Sequence, residues 1–327
     1  MAKDLHAGTR FLLAVGLIAA GSLTMPAAEE PWESMPNGVL GRLANFEGAD
    51  GVKIAGYVRK PAGDGPFPIV IVLHGGGPTA RPVGAENEAA RAEKLVAEAG
   101  RAGRILGRAV NPPIPDFLAQ GWAVYTIDYR PTPRYTLDPL EWEDTAAAVN
   151  RARAFSFVDH KRLAMFGGSH GGHVTGRMVS RVELSCAVLC APAGLDLCAL
   201  AQIAENGTAI GGNQRLLREM EQRTGVKMAD IRKNPGLYHY SSLFTEAAQV
   251  RCPLLLISGR NDPNAPLPAM EAYVKKLQAE GKATEVFHPD NGPHGFYVGL
   301  PRMIPETAES TRRAVSFIKK HFESTPP

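Results

Sequence analysis

No stretch of this 327-residue chain gathers charge of one sign. Lys and Arg number 36 against 33 Asp and Glu, a net charge of +3 spread along the sequence. The electrostatic footprint of a nucleic-acid binder is therefore missing. The apolar run near the amino end, FLLAVGLIAAGSL at positions 11–23, falls short of the about 20 residues that cross a bilayer. Cysteine is scarce too, with four residues at 186, 190, 198 and 252. Their spacings match no zinc pattern, and they allow three disulfide pairings. Cys186 and Cys252 each open an apolar run (CAVLCAPAG and CPLLLISG), which could set them face to face on neighbouring strands. Burial as inert thiols is the simpler expectation.

What is present at the amino end reads as an export signal. Lys3 and Arg10 precede the apolar run, and Pro26-Ala27-Ala28 offers a small-residue cleavage site before Glu29. The expectation is a signal peptide over 1–28, export to the periplasm or beyond, and no membrane span after cleavage. No cysteine follows the cleavage point, so a lipid-anchored start is not expected. The remaining 29–327 can form one α/β domain. A hydrophobic content of 44% with 21% charged residues is ordinary for a globular protein.

Strand and helix patterns alternate along that domain. VLGRLANFE and VKIAGYVRKP read as opening strands joined at Gly48-Ala49-Asp50-Gly51. PIVIVLHGGG, AVYTIDYRP, RLAMFGGS, SCAVLCAPAG, PLLLISGRND and TEVFHPD follow as mostly buried strands. Between or after them lie the helical patterns DPLEWEDTAAAVNRARAF, GHVTGRMVSRV, LPAMEAYVKKLQAEG and IPETAESTRRAVSFIKKHF. Such alternation predicts a mostly parallel sheet with helices on both faces. Two insertions, about 78–113 and 195–250, interrupt it after strand ends, where ligands bind in open α/β sheets. They are candidates for a lid or pocket wall, or for solvated surface.

The densest chemistry surrounds FGGSHGGHV. Gly167-Gly168-Ser169-His170-Gly171 satisfies G-x-S-x-G between a strand and a helix, the context in which a strained turn exposes a nucleophilic serine. A serine needs a base, and the base an orienting carboxylate. Asp262 and His294 both stand in the exit loops of late strands, in the order serine, acid, histidine. Strand-exit position favours Asp262 over Asp290 and His294 over His288. A tetrahedral oxyanion also needs donors, each worth about 3–4 kcal/mol. His74-Gly75-Gly76-Gly77 supplies an HGGG-type loop, so Gly75, Gly76 and the amide of His170 are the candidate donors. The side chains of His74, His170 and His173 read as structural, with His170 a possible pocket-shaping group. Tyr129 and Tyr238 are the candidate pocket residues, and Asp159–Arg162 reads as a structural ion pair.

From Pro66 to His321 these motifs, in this order, resemble the α/β-hydrolase superfamily. DHKRLAMFGGSHGGHV, CPLLLISGRNDPNAP and the late PHGF look most like the catalytic domain of the prolyl-oligopeptidase family and related esterases. The resemblance implies an eight-stranded, largely parallel sheet with a helical lid insertion and a Ser169–Asp262–His294 triad. It also implies acyl transfer with neither metal nor organic cofactor. Two departures stand out. Many peptidases of that family carry a β-propeller, whereas the roughly 45 mature residues before the glycine loop amount to little more than one blade of about 40 residues. Many also place a tyrosine hydroxyl in the oxyanion hole, where this chain has His74. Both favour hydrolysis of a small-molecule or oligomeric ester. A peptidase acting on short peptides is the second reading, and a non-catalytic binding protein on the same scaffold is the third.

Overall fold

The computed structural model describes residues 30–48, 50–75, 113–129, 139–193, 195, 221–222, 225, 227, 230, 243–299 and 303–325. Its strands are β1 (Glu33–Ser34), β2 (Val39–Leu43), β3 (Phe46–Glu47), β4 (Lys53–Ile54), β5 (Gly56–Pro61), β6 (Phe67–Leu73), β7 (Ala123–Ile127), β8 (Val158–Gly168), β9 (Cys186–Cys190), β10 (Leu254–Ile257) and β11 (Thr284–Phe287). The α-helices are α1 (Ile114–Ala119), α2 (Pro139–Arg153), α3 (His170–Met178), α4 (Leu267–Ala279) and α5 (Pro305–Glu323).

Nine strands form one sheet in the order β1-β2-β5-β7-β6-β8-β9-β10-β11. The run from β7 to β11 is parallel, while β1, β2 and β5 join antiparallel. The expected count of eight is thus one short among the described residues, because the two-residue β1 adds itself to the edge of β2. The two opening strand patterns also divide. Their inner ends leave the main sheet and pair as β3 with β4. One further hydrogen bond extends this ladder, the Gly48 N–H donating to the Val52 carbonyl at 2.8 Å.

Alternation along the strands builds two cores. On β6, Ile69, Ile71 and Leu73 face one way, into a cluster with Ala148 and Val149 of α2, Val174 and Met178 of α3, and Met270, Tyr273 and Leu277 of α4. Val70 faces the other way, with Phe117 of α1 and Ala314, Phe317 and Ile318 of α5. A β-branched run buried on both faces is what a central parallel strand requires. Local signals set the helix ends. Gly281, at φ 69°, follows α4 in the left-handed region that favours glycine. Pro305 opens α5, where the Ile304 N–H donates to Thr307 Oγ1 at 3.2 Å.

The strand order fixes where a site can form. β6 lies between β7 and β8, so the chain crosses in opposite directions from it, and the crevice at its carboxyl end is the topological switch point. Gly75 leaves β6 and Ser169 leaves β8 on the two sides of that crevice. The first insertion, up to residue 112, and most of the second lie outside the described residues, and with them the expected lid. Residues 1–28 do too. The second insertion's end is a 3-10 helix, Leu243–Gln249, that buries Leu243 and Ala247 in the first core.

Candidate active site

Ser169 joins β8 to α3 at φ 54°, ψ −116°, a conformation that costs a non-glycine residue on the order of 1–3 kcal/mol. Neighbouring backbone holds it there. The Ser169 N–H donates to the Cys190 carbonyl at 2.8 Å, and its carbonyl accepts from the His173 and Ala193 N–H groups, each at 3.1 Å. The flanking glycines answer to close approach. A Cβ on Gly167 would overlap the Gly171 carbonyl and Thr175 Oγ1, and one on Gly171 would overlap the carbonyls of Leu73 and His74. The strand-to-helix turn is possible because both positions are bare.

Two later strands deliver the partners. β10 and β11 are parallel neighbours, so their exit loops reach the same edge of the sheet as Ser169. His294 Nε2 lies 2.9 Å from Ser169 Oγ. Its Nδ1 lies 2.8 and 3.0 Å from the two oxygens of Asp262. The Asp262 side chain is fully buried, while that of His294 keeps 25% of its surface exposed. Asp262 Oδ1 also accepts the N–H groups of Asn264 and Ala265, at 2.8 and 3.1 Å, so the buried carboxylate is satisfied. A carboxylate at Nδ1 keeps that nitrogen protonated and leaves Nε2 as the base facing the hydroxyl. The rival residues point elsewhere: Asp290 is exposed and pairs with Arg260 at 2.9 Å, and His288 Nδ1 donates to the Ser258 carbonyl at 3.1 Å.

Two of the candidate oxyanion donors border Ser169. A Cβ built on Gly75 would stand 3.4 Å from the Ser169 Cβ, so the Gly75 backbone borders the nucleophile across the switch point. His170 opens α3, and a first-turn N–H has no acceptor within its own helix. Gly76 lies outside the described residues.

Several side chains take roles other than those expected. Tyr129 does not line a pocket: it is fully buried, and its hydroxyl donates to the His74 carbonyl at 2.7 Å. Stacking on the His74 ring, with centroids 4.5 Å apart, holds it inward. The His170 side chain turns away from Ser169 Oγ to the buried carboxylate of Glu141, with Nε2 to Oε2 at 2.8 Å. His173 Nδ1 donates to the Ala193 carbonyl at 2.9 Å. Burial, with Arg177 beside it, holds this imidazole well below its usual range and therefore neutral. Arg162 Nε pairs with Asp159 Oδ2 at 2.6 Å, as the sequence suggested. Tyr238 lies outside the described residues. Cys186, Cys190 and Cys252 are buried free thiols; Cys198 is outside.

Other contributors carry no sequence motif. Tyr297 is buried two residues beyond Gly295 and blocks any side chain on Gly168. Burial keeps its phenol well above the ordinary range, so it remains protonated. Glu246 accepts from Arg177, Arg181 and Ser180, fastening the second insertion's end to α3. Only the helical spacing of Arg177 and Arg181 hinted at a shared partner.

A nucleophile on a strained elbow, an imidazole and a buried carboxylate at one end of a doubly covered parallel sheet define a serine hydrolase of the α/β-hydrolase fold. The family profile Peptidase_S9, prolyl oligopeptidase family, matches residues 123–325. That is more than half of the chain, and the chain belongs to this family. A dipeptidyl aminopeptidase BIII from Pseudoxanthomonas mexicana is 26% identical over 193 residues, which cover 54% of this chain and 26% of that protein. The chain thus spans about a quarter of that relative's length. Among solved structures, an acylaminoacyl peptidase in complex with Z-Gly-Gly-Phe-chloromethyl ketone superposes with a TM-score of 0.63 at 14% identity, covering 89% of this chain and 42% of that one. An acetyl xylan esterase from Paenibacillus sp. R4 superposes with a TM-score of 0.62 at 18% identity, covering 89% of this chain and 87% of that one. At such identities both likenesses show the fold.

Proposed function

We propose that this chain is an exported serine hydrolase that cleaves carboxylic esters through an acyl-enzyme on Ser169. The observation that carries the chemistry is the relay Ser169 Oγ–His294–Asp262, at 2.9 and 2.8 Å. In this reading Ser169 attacks the ester carbonyl while His294 Nε2 takes its proton. Asp262 holds the imidazole tautomer and stabilises the imidazolium. The amides of Gly75, Gly76 and His170 receive the oxyanion. His294 then returns the proton to the departing alcohol, and water, activated by the same base, releases the acid.

One observation supports ester over peptide: His74 stands where many peptidases of the family place an oxyanion-hole tyrosine. A short-peptide hydrolase is the second reading, favoured by the family and by the dipeptidyl aminopeptidase match. Export rests on the amino-terminal pattern alone.

Turnover of p-nitrophenyl acyl esters against aminoacyl-p-nitroanilides decides between the two substrates. We expect the esters to be cleaved with the higher kcat/KM, with Ser169→Ala abolishing both turnover and fluorophosphonate labelling. Preference for the anilides would replace the ester reading with the peptidase one. Labelling retained in Ser169→Ala would remove the proposed nucleophile.

A further inference from the structure

Tyr129 lies outside the triad and reaches none of its members directly, yet it contacts both walls of the site. Its ring is near-parallel to that of His74, with centroids 4.5 Å apart and planes at 12°, and to that of His170, at 6.0 Å and 14°. Its hydroxyl donates to the His74 carbonyl at 2.7 Å. That carbonyl belongs to the same peptide unit as the Gly75 N–H. In a trans peptide the C=O and N–H point to opposite sides. A donor fixed on the carbonyl therefore fixes the direction of the amide and, by polarising the unit, makes its N–H a stronger donor.

Glycine on its carboxyl side gives this peptide little intrinsic reason to hold one orientation, since His74 is followed by Gly75, Gly76 and Gly77. The opposite wall is fixed separately: His170, which opens α3, is anchored through Nε2 to buried Glu141 at 2.8 Å. A side chain on Gly171 would strike the same His74 carbonyl, so the peptide is packed from the α3 side as well.

We infer that Tyr129 is a positioning residue of the oxyanion hole, its hydroxyl aiming the Gly75 N–H through the His74–Gly75 peptide. It touches no reacting atom, and its effect falls on transition-state stabilisation rather than on substrate binding. The inference rests on acyl transfer at Ser169, whichever acyl substrate is preferred.

The test is Tyr129→Phe, which keeps the ring stack and deletes the donor. Losing an oxyanion donor outright costs on the order of 10²–10³ in kcat, and misaiming one should cost a fraction of that, roughly tenfold. We expect kcat for p-nitrophenyl acetate to fall by that factor with KM nearly unchanged. The sharper readout is the ratio of kcat/KM for this ester to that for its thiono analogue, whose sulfur accepts hydrogen bonds poorly. The ratio should shrink in Tyr129→Phe, because the hole no longer favours oxygen as strongly. A loss of folded protein would lower both rates together and leave the ratio intact. Tyr129→p-aminophenylalanine, which keeps the ring and a weaker donor, should give an intermediate ratio, and it serves alone if the phenylalanine variant does not fold. A wild-type ratio in these variants overturns the inference while leaving the hydrolase reading in place. A wild-type protein that turns over neither esters nor anilides removes both.

Discussion

His294 and Asp262 meet through two contacts, 2.8 and 3.0 Å from one Nδ1 to both carboxylate oxygens, with the acid fully buried and the base partly open. Backbone N–H groups of Asn264 and Ala265 occupy the remaining capacity of Oδ1. An amide in place of the acid keeps that shape but can turn its NH2 toward Nδ1, forcing the proton onto Nε2. Asp262→Asn should therefore fold, and its kcat should drop by about 10⁴, as in a triad with the wrong tautomer. Steady-state hydrolysis of a p-nitrophenyl ester measures this; a loss below tenfold would mean that Asp262 does not orient the base.

The close crossing of α3 over β6 makes a second prediction. The atoms that a Gly171 Cβ would meet are the carbonyls of Leu73 and His74, which are backbone and cannot swing aside. Gly171→Ala should destabilise the fold by about 1–3 kcal/mol through overpacking. Because the helix must back away from the glycine loop, it should also lower kcat more than KM. Urea denaturation and ester kinetics on the same preparation check both effects.

Much of this site could be read from letters because its parts are local. The G-x-S-x-G elbow, the HGGG loop and the two strand-exit residues each carry their context within about ten positions, and the parallel order of strands brings those exits together. What escaped were contacts between distant elements. Tyr129 reads as an aromatic at a strand mouth, and nothing nearby reveals that the His74 carbonyl, 55 positions earlier, waits for its hydroxyl. Tyr297, which blocks Gly168, and Glu141, which holds His170, depend likewise on separations that no periodicity records. The ninth strand escaped for the opposite reason: at two residues, Glu33–Ser34 is too short to show an alternation.

The buried thiols should be silent. Burial lifts Cys186 and Cys190 well above the ordinary thiol range and Cys252 to about 12, while the thiolate is the reactive form. In the folded protein at pH 8, iodoacetamide should leave all three unmodified, and denaturation should expose them together. Peptide mass spectrometry before and after unfolding reads the result. Early modification of Cys186 or Cys252 would show that the edge between β9 and β10 opens.

Acid should loosen the clasp between α3 and the second insertion. Burial works against the Glu246 carboxylate, but Arg181, Arg177 and Ser180 outweigh it and hold its pKa below the ordinary 4.5. A carboxyl whose folded pKa is depressed adds stability above its unfolded pKa, and that stability drains away as pH falls through the folded value. Glu246→Gln removes the charge at every pH. It should lower stability by about 1–3 kcal/mol at pH 7, where Arg177, itself 1% exposed, loses a charged partner. As pH falls below 4.5 the gap should narrow, and it should close once pH has passed the depressed folded value and the wild-type carboxyl is protonated in both states. Thermal melts of both between pH 3 and pH 7 measure the difference. A gap that stays constant across that range would mean that Glu246 stabilises by packing alone, and that the ion pairs to α3 contribute nothing.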